Sequence, residues 1–325
     1  MKMVKKTAID ILNQLGAEHK PFLFIIDFEQ KKPLIFPLEG INSEEILFDV
    51  NGKKNFTVFP EITKSLEFSS IPVSEIRYRE AFELVQNHLH YGNSFLLNLT
   101  MPSQVETNFS LKEIFYHSKA KYKLWLKDSF VVFSPEIFVK TDGRKISSFP
   151  MKGTIDATLP DAENLLLKNE KELAEHYTIV DLIRNDLSMV AKNVKVERFR
   201  YIDRIKTHRH VLLQMSSEIS GELPENYMEN LGNILFKMLP AGSISGAPKK
   251  KTIEIIKEAE QYERGYYTGI FGIFDGTNID SGVMIRFIEQ SPKGLVYKSG
   301  GGITAKSNCE EEYQELIDKI YVPLA

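Results

Sequence analysis

Cysteine is almost missing from this chain: Cys309 is the only one in 325 residues. No intrachain disulfide can form, and such a composition suits a reducing compartment. An excess of one charge is missing too. A net charge of -3 and no long basic run leave no electrostatic footprint for nucleic acid. Long hydrophobic runs are also absent. The longest, such as Phe22–Ile26, are strand-sized and far too short to cross a membrane. Near the N-terminus, TAIDILNQLG carries Asp10, Asn13 and Gln14, which makes it an amphipathic helix and not the apolar core of a signal peptide. No Walker or dinucleotide fingerprint, repeat or low-complexity segment occurs. A soluble cytoplasmic protein is expected, without nucleic-acid or membrane partners.

What is there suits a globular enzyme. Hydrophobic residues make up 42% and charged residues 26% of the chain, enough for one large core or two lobes. Residues 21–60 read as short strands (FLFIIDF, PLIFPL, EILFDV, FTVF) broken by Lys-Lys, Asn-Gly and Pro. Val73–His90 and Ser110–Ser118 read as helices, the second opening on a serine cap. Strands follow at Ser94–Met101, Tyr122–Lys127, Phe130–Phe133, Ile137–Thr141 and Lys145–Phe149, with a hairpin turn at Asp142-Gly143. Beyond a helical stretch from Pro160 come strands at Val194–Phe199 and Val211–Ser220 and a helix at Asn226–Met238. The last third holds strands at Gly269–Phe274, Gly282–Glu289 and Val296–Ser299 and a final helix. Strands in consecutive runs with helices between groups predict an α+β layered fold with mostly antiparallel sheets. A short strand-rich segment, residues 1–74, is expected to pack on a catalytic domain at 75–325.

Two helices carry paired carboxylates. In Lys171–Leu187, an apolar stripe of Leu173, Tyr177, Val180, Ile183 and Leu187 marks the buried face. Glu172 and Glu175 stand at i, i+3 on a side that continues as Ile179 and Leu182, so they do not belong to a solvated face. An acidic first turn favoured by the helix dipole is the plainer reading of such a pair. It weakens because Cys309–Tyr321 repeats the device: Glu312 and Glu315 flank the stripe Tyr313, Leu316, Ile317, Ile320. Four carboxylates with no cysteine or histidine cluster suit Mg²⁺ or Mn²⁺ better than zinc.

Other residues are ambiguous one at a time. PAGSISGAPK (Pro240–Lys249) ends at a helix N-terminus, where free amides favour an anion. SGGGIT (Ser299–Thr304) sets three glycines after a strand, and each stretch also suits a tight turn. Arg286 interrupts an apolar strand, either to pair with a buried acid or to bind an anion. Lys152 lies between a strand and a loop. There it is an exposed lysine or, desolvated among apolar neighbours, a nucleophile. Glu136 is a surface glutamate or a general acid. His176 and His210 suit core and site alike.

Together these segments resemble a family. SPE (134–136), PMKGT (150–154), KELAEH…VDLIRNDL, PAGSISGAPK, RGYYTGIFG (264–272), IRF (285–287) and GGGIT…EYQE stand in the order of the chorismate-utilising enzymes, over roughly residues 75–325. The resemblance implies two packed β-sheet layers flanked by helices with the active site between them. It implies Mg²⁺ held near the ring carboxylate of chorismate by Glu172, Glu175, Glu312 and Glu315. Arg286, Tyr267 and the amides of Gly300, Gly301 and Gly302 match positions that hold the enolpyruvyl carboxylate, and Ser243, Ser245 and Lys306 are added as substrate-binding residues. Glu136 matches the acid that assists loss of the C4 hydroxyl.

Lys152 discriminates within the family. Anthranilate synthases carry alanine there, whereas aminodeoxychorismate synthases carry a lysine that attacks C2. Isochorismate and salicylate synthases place a water-activating lysine where this chain has Leu96. The resemblance thus implies formation of 4-amino-4-deoxychorismate toward p-aminobenzoate and folate. Ammonia would come from a separate glutamine amidotransferase, and a lyase would act on the product. Anthranilate formation and a silent chorismate-binding relative are the alternatives. Gln214 stands where a histidine is common, Ser245 replaces a common threonine, and no LLES-type element for tryptophan feedback is seen.

Overall fold

A computed structural model describes residues 4–57, 60–61, 64–168, 170–206 and 211–324, with the backbone alone at 154, 170–172, 205–206 and 212. The stretch FLFII shows why the chain folds into layers. Successive side chains of a strand point to opposite faces. Phe22, Phe24 and Ile26 enter a core shared with the helices Lys5–Ala17, Glu170–Ser188 and Leu231–Met238. Leu23 and Ile25 enter a second core on the other face. A strand apolar on both faces must be covered on both. Phe130–Ser134 repeats the pattern, with Phe130 and Val132 in that second core and Val131 and Phe133 against further helices.

Among the described residues the strands form two nine-stranded sheets, and every pairing between strands is antiparallel. The sheets stack face to face. The core between them includes Phe130 and Phe287, whose rings lie 4.9 Å apart. Helices Glu75–His90, Leu111–His117, Lys249–Glu260 and Cys309–Asp318 cover the outside of the second sheet. The order is helices, sheet, sheet, helices, an α+β fold as expected. The strands before residue 75 join both sheets: Phe22–Ile26 and Leu34–Pro37 one, Ile46–Val50, Lys53–Lys54 and Phe68–Ile71 the other. No helix among the described residues is long and apolar enough to cross a membrane.

Several expected elements differ. The strand expected at FTVF is not formed at Phe56–Thr57, and Val58 and Phe59 lie outside the described residues. The helix Asn226–Met238 is a 3-10 turn at Tyr227–Asn230 followed by Leu231–Met238. The expected strand Gly282–Glu289 is two strands, Ile279–Val283 in the first sheet and Phe287–Ser291 in the second. Met284–Arg286 carry the chain across, with Arg286 in the left-handed region at φ 54°. Met284 is buried and Ile285 and Arg286 are half-buried, so the apolar pattern runs through the crossing without a mark.

The glycines of SGGGIT do not follow a strand; they lie inside the strand Gly294–Ile303. A Cβ on Gly300 would stand 2.0 Å from the carbonyl oxygen of Leu99 on the neighbouring strand, so only glycine fits.

Candidate active site

Residues of both sheets line a cavity of about 630 Å³. Both carboxylate helices reach it. Helix Glu170–Ser188 turns Glu175 and Ile179 inward, and helix Cys309–Asp318 turns Glu312 and Glu315 inward. Strand Gly294–Ile303 supplies Gly300–Gly302. The chain crossing between the sheets supplies Arg286, and strand Leu96–Thr107 supplies Leu96 and Asn98. Tyr267, Ser243, Gln214, Glu136 and Lys152 complete the polar lining.

Lys152 is not on a loop. It lies in the strand Met151–Asp156, whose register against Val211–Glu222 shifts between Met151 and Thr154. That bulge, with Gly153 at φ 81°, re-aims the lysine out of the ladder and into the cavity. Its Nζ stands 2.5 Å from Glu175 Oε2, and Glu175 is only 6% exposed.

Glu136 follows the strand Phe130–Ser134 and accepts a hydrogen bond from Ser243 Oγ at 2.5 Å. Burial pushes its carboxyl above the usual carboxylate range; the Ser243 bond and the charges of Lys319, Arg286 and Lys152 oppose that only in part. Ser243 lies in the loop that closes one wall. Asp186 anchors the loop, accepting from the Gly242 N–H at 3.0 Å while pairing with Lys249 Nζ at 2.6 Å. The Ser245 hydroxyl turns away to the Ala241 carbonyl at 2.8 Å, so within the cavity lining its side chain shapes the loop.

Arg286 is covered on one side by the Tyr321 ring, 5.2 Å from the guanidinium carbon. Its buried Nε has no protein acceptor. An orphan cationic donor beside bare glycine amides suits an anionic group from outside the protein.

Carboxylates meet ammonium groups across this space. Lys319 Nζ pairs with Glu315 Oε1 at 2.5 Å and donates to the Gly300 carbonyl at 2.8 Å. Burial draws its pKa down and Glu315 resists. Among the described residues no three His, Cys, Asp or Glu side chains gather closely enough to hold a metal by themselves. The Glu172 side chain, fourth of the expected ligands, lies outside the described residues. The Glu312 and Glu315 carboxylates do converge: a Cβ on Gly301 would stand 3.3 Å from one and 3.2 Å from the other. Such a pair, with Glu175 in the same cavity, fits a hard cation that takes its remaining oxygens from substrate and water.

Other expected residues fall elsewhere. Lys306 is a correction: it is exposed, its N–H donates to Thr304 Oγ1 at 3.3 Å, and it does not line the cavity. Four residues after Glu315, Lys319 supplies the cation instead, and extending the carboxylate face by one helical turn would have found it. His176 is a core residue, fully buried with Nε2 2.6 Å from Ser217 Oγ. His210 lies outside the described residues. Tyr177, expected in the buried stripe, is exposed and packs on Phe199. Sequence reasoning misses Asp186, Arg264 and Asn98. Nothing in their local pattern distinguishes them, because their partners are remote in sequence.

Residues 43–325 match the model of a family described as chorismate binding enzyme. A Haemophilus influenzae protein designated "Uncharacterized PabA-like protein" is 55% identical over 316 residues, 97% of this chain and 96% of its own length. Aminodeoxychorismate synthase component 1 of Escherichia coli is 31% identical over 295 residues, 84% of this chain and 63% of that protein. Anthranilate synthase component I from Streptococcus pneumoniae superposes with a TM-score of 0.64 at 24% identity, covering 79% of this chain and 59% of that one.

Proposed function

Because the chain belongs to the chorismate-binding enzyme family, we propose that it is an aminodeoxychorismate synthase component I, forming 4-amino-4-deoxychorismate and water from chorismate and ammonia. The observation that carries this reading is the Lys152 ammonium on its bulge, facing the cavity beside Glu175, with apolar Leu96 in the strand opposite.

Chorismate is a dianion and needs fixed cationic partners. Arg286, with its unpartnered Nε, and the Gly300–Gly302 amides suit the enolpyruvyl carboxylate. Mg²⁺ held by Glu175, Glu312 and Glu315, with Glu172 as the fourth ligand, would neutralise the ring carboxylate.

Lys152 attacks as the free amine, so its contact with Glu175 must open and the ammonium proton pass to solvent, to be regained at the end of the cycle. Lys152 Nζ then bonds to C2, the ring double bonds shift, and the C4–O bond breaks. The hydroxyl leaves as water with the proton of Glu136, whose burial raises its pKa above the usual carboxylate range. Ammonia bonds to C4, the double bonds shift back, and the C2–N bond breaks with its electron pair returning to Lys152. The surplus proton on the new amine passes to Glu136.

Ammonia would come from a separate glutamine amidotransferase. Cys309 is buried, and burial raises its thiol, the opposite of what a glutamine-hydrolysing thiolate needs. A lyase would take the product on to p-aminobenzoate. The test is product analysis with chorismate, Mg²⁺ and ammonium, separated by chromatography and mass. A peak that becomes p-aminobenzoate only on addition of a lyase is expected. Anthranilate with pyruvate would overturn the assignment, and unchanged chorismate would leave a binding protein.

A further inference from the structure

We infer that Asn98 holds the ammonia that attacks C4 and so sets the nucleophile this site accepts; the inference rests on the reading above. Asn98 is the one amide in the run Leu96–Leu99, and alternation separates the faces. Leu97 and Leu99 enter the helix-covered core, whereas Leu96 and Asn98 face the cavity. Its side-chain Oδ1 is buried and has no hydrogen-bond partner within the protein. Buried side-chain acceptors are almost always satisfied, so an orphan in a cavity wall marks a ligand's place.

The position is also fixed from behind. Arg264 Nη2 donates to the Asn98 carbonyl at 2.6 Å, and the Asn98 N–H donates to the Ser245 carbonyl at 3.2 Å. Ser245 lies two residues from Ser243, whose hydroxyl reaches Glu136. The orphan amide thus adjoins the loop that holds the acid for the C4 hydroxyl. An incoming nucleophile bonds to that same carbon. Ammonia brings three N–H donors and one lone pair; one donor on an amide oxygen leaves the lone pair free to attack. A carboxylate in place of the amide would select ammonium, which has no lone pair. Leu96, two residues earlier on the same face, offers water no base.

Steady-state kinetics of Asn98→Leu with ammonium and with chorismate varied separately test this. Loss of one neutral hydrogen bond is expected to raise KM for ammonium about 3- to 10-fold. KM for chorismate and the amount of Lys152 adduct trapped without ammonia should stay as in the parent. Asn98→Ser, smaller and still an acceptor, provides a second reading if the leucine variant folds poorly, with an intermediate KM expected. An unchanged ammonium KM in both variants, or a parallel loss of chorismate affinity and adduct, overturns the inference and leaves the amination reading intact. A parent enzyme that makes no aminated product overturns both.

Discussion

Two ion pairs near the cavity are built differently. Arg264 and Glu260, 1% and 0% exposed, meet at 2.6 Å in a closed network. Arg264 also reaches the Ile244 and Asn98 carbonyls, and Glu260 accepts from the Thr100 N–H and hydroxyl. Lys152 and Glu175 meet at 2.5 Å beside open cavity, and the lysine is 26% exposed. The closed pair has no spare valence for a ligand; the cavity pair can open. One fixes the walls and the other is the pair to which the proposed chemistry is assigned, and they should fail in different ways.

The largest expected effect is on rate. Lys152→Ala should lower amination by on the order of 10⁴-fold, about 5 kcal/mol of barrier, while the urea midpoint moves little, because the cavity lets solvent reach what the lysine leaves. Fluorescence-monitored unfolding beside the turnover assay checks this. A variant that unfolds as readily as one lacking Arg264 would erase the distinction between the pairs. Next comes Arg264→Ala, which strands a buried carboxylate and should cost about 3–5 kcal/mol of stability. If it instead melts like the parent and loses only turnover, the closed network belongs to the chemistry.

Glu136→Gln sharpens the cavity side. A positioned acid contributes about 10²–10⁴-fold, and the Gln variant should keep chorismate binding while losing that factor. The pH profile carries the sign. Burial raises the Glu136 pKa, so the acid is present below the raised value and kcat falls as pH rises through it. In Glu136→Gln that alkaline limb should vanish; if it stays, another group titrates.

Legibility followed the same division. Carboxylates on amphipathic helices declare themselves through period alone, and Glu175, Glu312 and Glu315 all line the cavity. Lys152 was legible as an oddity among apolar neighbours. Its bulge was not, because a register shift depends on the partner strand. Arg286 was legible as a charge in an apolar run, whereas the sheet crossing it sits on was hidden by burial on both sides. The closed network was invisible: Arg264, Asn98 and Ile244 come together only through the fold.

The smallest expected effect lies one residue from the open site. Glu175 faces the cavity, and the next residue of the helix, His176, faces the strand Val211–Glu222. There Ser217 Oγ meets its Nε2, and its Nδ1 is buried without a partner. An imidazolium would add a second N–H with nowhere to donate, and Arg200 lies nearby. Burial first, then Arg200 and Lys152, draws its pKa down to about 4. The unfolded chain takes up that proton near pH 6.5 and the folded one only near 4, so this contribution is complete above 6.5 and lost as pH falls between the two. The whole window is worth about 3 kcal/mol. His176→Gln should be no steeper in this range than its carboxylates make it, so urea midpoints of parent and variant at pH 7 and 4.5 isolate the histidine. Equal slopes would mean that His176 is protonated in the folded protein, and the closed side of the helix would then be as open to exchange as Glu175.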